Sequence, residues 1–148
     1  MIIQPSLDLP ATLKRSLRAF RAGDALAVSD FFEQNARLST QLDFKLASRL
    51  GLSEVNGPVM ANGAVRIMQF YAAEFEAFDV LHFEVLSSMT AGRDVAAVCE
   101  WSIKLRGTGA EFVGRCHNIW TLDHTGRKCV DARTVCKIIT PDWDHQIN

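Results

Sequence analysis

The sequence predicts an α+β fold in which three N-terminal helices pack on one face of a strongly curved, mostly antiparallel sheet. Two observations carry this. Apolar residues recur with helical spacing in three segments before residue 79, and with a period of two in the segments after it. In addition, the stretch FVGRCHNIWTLDHTGRKCVDARTVCKII, residues 112–139, sets two runs rich in Val, Ile, Thr and Cys around the turn cluster Asp123-His124-Thr125-Gly126. That pattern reads as a long antiparallel hairpin, the spine of a twisted sheet.

Taken in order, residues 1–6 have no periodic partner and read as a lead-in. From Leu7 to Ala22, the residues Leu13, Leu17 and Phe20 share one side while Lys14, Arg15, Arg18 and Arg21 take the others, which predicts an amphipathic helix. Gly23 ends it, and Asp24 caps a second helix expected over 25–33. A strand is expected over 36–46, and a Gly-, Asn- and Pro-containing loop over 51–63, placed as a lip over a cavity. The third helix, 64–78, has a stripe of Ile67, Phe70, Tyr71, Phe75 and Phe78. Strands then follow at 80–90, 94–106, 110–122 and 127–139, joined by Gly-containing turns. No repeat or second domain is evident, so the chain of 148 residues reads as one domain, large enough to hold a single core.

Sixteen basic and seventeen acidic residues, spread along the chain for a net charge of -1, give no cationic face for nucleic acid or an anionic membrane. The first twenty residues lack a basic-then-apolar leader pattern, and no apolar run is long enough to span a bilayer, so a cytoplasmic protein is expected. Cys99, Cys116, Cys129 and Cys136 all fall in expected strands without the close spacing of a metal or redox motif. They read as small buried hydrophobes, against a lesser reading as a disulfide, metal site or reactive thiol. No glycine-rich phosphate loop is present, and neither a cofactor nor a metal is expected.

The element order, with GDALAVSDFFEQNARL at 23–38 and NIWTLDHTGR at 118–127, resembles the NTF2-like superfamily, which includes ketosteroid isomerase, the SnoaL-like polyketide cyclases, scytalone dehydratase and limonene-epoxide hydrolase. The resemblance implies a cone-shaped α+β barrel with an apolar pocket and often a dimer. It also places residues. The isomerase's oxyanion-binding tyrosine on the first helix corresponds to Ser16, its general-base aspartate to Thr40 and its second oxyanion donor to Asn118. Its Phe-Tyr pair on the third helix corresponds to Phe70-Tyr71. The acid of the cyclases and the epoxide hydrolase falls on Arg133 or Thr134. With no carboxylate at position 40, ketosteroid isomerase activity itself is not expected.

Strand alternation extends the site. If Asn118 points inward, so do Phe112, Gly114, Cys116 and Trp120. On the preceding strand the inward set is read as Val98, Glu100 and Ser102. Trp101 and Ile103 are then left on an outer apolar face, which is the basis for expecting a homodimer there. Asp131 and Arg133 share a face. Either they enter the hollow with Glu100 and Asn118, or they pair across the outer surface.

The candidate catalytic residues are therefore Asn118, Glu100 and Asp131, and the candidate ligand contacts are Ser16, Phe20, Thr40, Tyr71, Ser102, Cys116, Trp120 and Arg133. The histidines read as surface or interface residues, with Trp143 and His145 in a C-terminal tail. The expected function is binding of a small, mostly apolar organic molecule, with lyase or isomerase chemistry as one reading. A non-catalytic binding or dimerisation module, or an accessory subunit, is the other. A titratable side chain inside the hollow separates the two.

Overall fold

The structure is a computed structural model and describes residues 8–42 and 59–139. Its elements are helices α1 (Ala11–Ala22), α2 (Ala25–Ser29) and α3 (Ala64–Ala77), and strands β1 (Phe32–Gln41), β2 (Val59–Asn62), β3 (Phe78–Ala91), β4 (Asp94–Leu105), β5 (Glu111–Leu122) and β6 (Cys129–Ile138). Among the described residues, three helices pack on one six-stranded sheet of order β2-β1-β6-β5-β4-β3. The β1/β6 pairing is parallel and the other four are antiparallel, so the sheet is mixed, as the α+β reading requires, and curved without closing.

Local chemistry sets the boundaries. Pro10 stands at the N-cap of α1, four residues later than the periodicity suggested, and Gly23 ends the helix at φ 72°. Asp24 caps α2 by accepting a hydrogen bond from the Ala27 N–H at 3.1 Å. The second helix is shorter than expected because the chain turns at Asp30–Phe31 into β1: the Cys129 N–H donates to the Phe31 carbonyl at 2.8 Å, and Phe32 pairs with Cys129. Sheet pairing here overrides the helical spacing of Phe31 and Phe32. Four residues of the expected 51–63 loop form the edge strand β2, paired with β1 through Leu38 and Ala61. Residues 43–58, which include residues 51–58 of the lip expected over 51–63, and the tail with Trp143 and His145 lie outside the described residues.

The core lies between the helices and the concave face of the sheet. Burial alternates strictly along β4 (Val95, Ala97, Cys99, Trp101, Ile103 and Leu105 in) and β5 (Phe112, Cys116, Asn118, Trp120 and Leu122 in). At full burial each large apolar side chain contributes about 1.5–3 kcal/mol, so this alternation is the main force holding the sheet's curvature against the helices. Gly114 sits directly opposite Trp101, and a Cβ there would overlap the indole ring, so the glycine is what lets Trp101 lie flat across β5.

Candidate functional site

The concave face and the helices enclose a cavity of about 100 Å³. Its floor is laid out by strand register. One row crosses three adjacent strands as Thr40 (β1), Thr134 (β6) and Asn118 (β5), each directly paired with the next. The next row is Cys136, Cys116 and Cys99. Trp101, Ile103 and Trp120 continue the sheet side. Helix α1 adds Ser16, Leu17 and Phe20; α3 adds Phe70, Tyr71 and Glu74; Phe78 and Phe83 close one flank. Phe20 packs on Tyr71, Phe75 and Phe83 at centroid distances of 6.1, 5.3 and 5.3 Å, which joins the two long helices to β3 above the hollow.

The polar groups have distinct states. Thr134 Oγ1 donates to Asn118 Oδ1 at 2.9 Å, which orients the amide. One Asn118 Nδ2–H donates to Cys99 Sγ at 3.5 Å, an ordinary length to sulfur, while the contact to the Cys116 carbonyl, also 3.5 Å, is long for oxygen, so the second N–H of the amide is left to donate to a ligand. The Ser16 hydroxyl donates to the Val28 carbonyl at 3.1 Å, so it ties α1 to α2. Tyr71 and Glu74 lie one helical turn apart, on the same side of α3. Among the described residues the Glu74 carboxyl has no hydrogen bond or ion pair, and loss of hydration pushes its pKa up to about 8. The side chain is half-buried, as a residue bordering a cavity is, and enclosure by the surrounding protein accounts for the shift. Burial, then the charge of Glu74, raises the Tyr71 phenol above its ordinary value.

Of the residues marked in the sequence, Asn118, Ser16, Phe20, Thr40, Tyr71, Cys116 and Trp120 line this cavity. Glu100, Ser102, Asp131 and Arg133 do not, and Trp101 and Ile103, assigned to the outer face, point in. The reason is register. Asn118 pairs with Ala97, so odd-numbered residues of β4 share the face of even-numbered residues of β5, opposite to the parity read from the sequence. Glu100 lies outside, 3.1 Å from Arg115. Asn118 pairs with Thr134, which sends Asp131 and Arg133 outward, where Asp131 meets Arg37 at 3.1 Å and Arg133 at 3.5 Å. The surface alternative for that pair is therefore the one adopted.

Glu74 was missed. The signal for it was present: it stands seven residues after Ile67 and three after Tyr71, on the apolar stripe rather than the polar face of α3. No group of His, Cys, Asp and Glu among the described residues is arranged to hold a metal ion.

Chemically, the site joins an acid whose pKa is pushed up to about 8 by lost hydration, an oriented amide donor and an aromatic enclosure. This helix-capped, open α+β cone has the NTF2-like, ketosteroid isomerase-like fold. The SnoaL-like domain model matches residues 13–130, and the chain belongs to that family. No curated protein matches the sequence. Among solved structures, a provisionally assigned isomerase from Rhodopseudomonas palustris is similar at 15% identity, TM-score 0.68, over 93% of this chain and 96% of that one. A provisionally assigned SnoaL-like polyketide cyclase from Mesorhizobium loti is similar at 14% identity, TM-score 0.58, over 83% and 94%. A ketosteroid isomerase-like fold from Catenulispora acidiphila, solved in complex with trimethylamine, is similar at 12% identity, TM-score 0.66, over 85% of each chain. Among the described residues no helix is long and apolar enough to cross a membrane.

Proposed function

We propose that the protein binds a small, mostly apolar organic molecule in its cone and performs cofactor-independent proton transfer on it, as a lyase or isomerase. The observation that carries this reading is Glu74, a carboxyl without a protein partner among the described residues, held near pKa 8 on the cavity wall. A proton carrier works best when its pKa lies close to the working pH, and burial is the usual means of raising a carboxyl there. Glu74 takes a proton from carbon, or gives one to a leaving hydroxyl, while the Asn118 amide donates to the oxygen on which negative charge develops. The roles expected for Glu100 and Asp131 pass to Glu74.

The test is hydrogen–deuterium exchange at the saturated α carbon (C6) and the vinylogous γ carbon (C4) of a cyclic enone such as 2-cyclohexenone, followed by NMR in D2O. Exchange is expected to rise with pH through about 8 as Glu74 ionises and to be lost in Glu74→Gln. Equal exchange in the wild type and the variant would end the enzymatic reading.

A second reading, binding without turnover, is favoured by the same carboxyl standing among the rings of Phe20, Phe70, Tyr71 and Phe83. An alkylammonium ion pairs with an ionised carboxylate and is attracted to aromatic faces, and a structural neighbour is complexed with trimethylamine. Calorimetry with trimethylammonium is expected to show binding that strengthens above pH 8 and disappears in Glu74→Gln.

We further infer that the expected homodimer uses Ile119 and Val135, 38% and 40% exposed on the convex face, in place of Trp101 and Ile103. Sedimentation of Ile119→Asp as a monomer supports this; an unchanged dimer contradicts it.

A further inference from the structure

We propose that Cys116 and Cys136 form an oxidisable dithiol in the cavity wall, which a small hydroperoxide entering the cavity converts to an intramolecular cross-strand disulfide. Strand register brings the two cysteines together. The Ile139 N–H donates to the Val113 carbonyl at 2.8 Å, and those two residues stand directly opposite on the β5/β6 ladder. Hydrogen-bonded and non-hydrogen-bonded pairs alternate along an antiparallel ladder. Stepping inward from 113/139, the pair Cys116/Cys136 is therefore a non-hydrogen-bonded one, whose Cα atoms approach to about 4.5 Å. That separation lies within the range a disulfide spans without backbone movement. The two side chains already converge, with their sulfurs 2.7 Å apart.

Cys116 also stands opposite Cys99 on the β4/β5 ladder, which makes the choice of partner a real one. The Leu105 N–H donates to the Ala110 carbonyl and the Leu122 N–H to the Arg93 carbonyl, both at 2.8 Å. These contacts make Cys99/Cys116 a hydrogen-bonded pair, in which the Cα atoms stand farther apart, at about 5.5 Å. Cys99 Sγ is engaged by the Asn118 amide instead. Cys129 donates to the Asp131 carbonyl at 3.3 Å, away from this row.

Trp101 Nε1–H donates to Cys116 Sγ at 2.8 Å, which fixes that sulfur between the indole and the Cys136 sulfur on the cavity wall. Both thiols are only 8% exposed, and both border the cavity, so the reagent must be small enough to enter it. In the reaction Cys116 sulfur attacks one peroxide oxygen, the O–O bond breaks, and the departing hydroxide takes up the thiol proton as water. Cys136 sulfur then displaces the hydroxyl of the Cys116 sulfenic acid as a second water. Two thiols lose two electrons and two protons; hydrogen peroxide becomes two water molecules.

The sequence makes the test unambiguous, because Arg93, Lys104, Arg115, Arg127, Lys128, Arg133 and Lys137 place the four cysteines in four different tryptic peptides. The reduced full chain is exposed to hydrogen peroxide, folded or in urea, then alkylated and mapped by mass spectrometry. The folded chain is expected to fall from four alkylatable thiols to two, with peptide 116–127 joined to peptide 134–137; the urea-unfolded chain is expected to give mixed pairings. In Cys136→Ser the link disappears and dimedone labels Cys116 as a sulfenic acid. A link through Cys99 or Cys129, a link between chains, or four free thiols in the peroxide-treated folded wild type would each overturn the proposal.

Discussion

Glu74→Gln tests the site through stability as well as turnover. Glutamine keeps the shape of the side chain and removes its titration. In the folded protein the carboxyl is raised from its ordinary value of 4.5 to about 8 by burial alone. A group with a raised pKa keeps its proton in the native state where the unfolded chain has already released it, so stability falls as pH rises across that interval. The contribution is intact below about pH 4.5 and is lost by about pH 8. At 1.36 kcal/mol per pH unit the gap corresponds to at most about 5 kcal/mol, and water admitted to the cavity lowers the measured value to about 2–5 kcal/mol. Against the usual stability of about 5–15 kcal/mol for a domain, this is a large fraction. The assay is urea denaturation of both proteins in steps from pH 5 to pH 9. The difference in unfolding free energy isolates Glu74, because every other titrating group is shared. The glutamine variant is expected to be nearly equal to the wild type at pH 5 and clearly more stable at pH 9. A difference that stays flat across the range would mean that the carboxyl is solvated or paired, and the raised pKa would be refuted.

Asn118→Ala removes the amide donor and leaves Thr134 Oγ1 without its acceptor; a stability loss of about 1–3 kcal/mol is expected by denaturation, together with loss of enone exchange. Gly114→Ala forces the Trp101 ring off β5, so a loss of at least about 1–3 kcal/mol and a changed tryptophan emission spectrum are expected. Glu100→Gln and Asp131→Asn break convex-face pairs, with Arg115 in the first case and with Arg37 and Arg133 in the second. Each is expected to cost under about 1 kcal/mol and to leave exchange unaltered; a loss of exchange in either would show that the convex face contributes to the site.

The helices and strands after residue 63 were legible in the sequence because each carries its own periodicity: the stripe from Ile67 to Phe78, and the alternation through Phe112, Cys116, Asn118 and Trp120. The inward turn of Asn118 follows from that alternation once one residue of β5 is fixed. The turn from α2 into β1 was not legible, since Phe31 and Phe32 fit a helix locally and only pairing with Cys129 draws them into a strand. Edge strand β2, four residues long with a single partner, is likewise defined by β1 rather than by its own sequence.

The sequence by itself determined the fold class and the cavity face of β5, because these rest on periodicities contained within single segments, and the stretches at 23–38 and 118–127 carried the resemblance to the family. Only the tertiary structure decided which charges enter the hollow. The β4/β5 hairpin sets Ala97 against Asn118, and a one-residue difference in that register exchanges Glu100 and Trp101 between surface and interior. Register is fixed by burying Trp101 and Ile103 under α1 and α3, a contest settled over the whole core. Glu74 follows the same logic: its place on an apolar stripe is written locally, but its raised pKa exists only where the helix is laid over the sheet and the surrounding protein takes away much of the carboxyl's hydration.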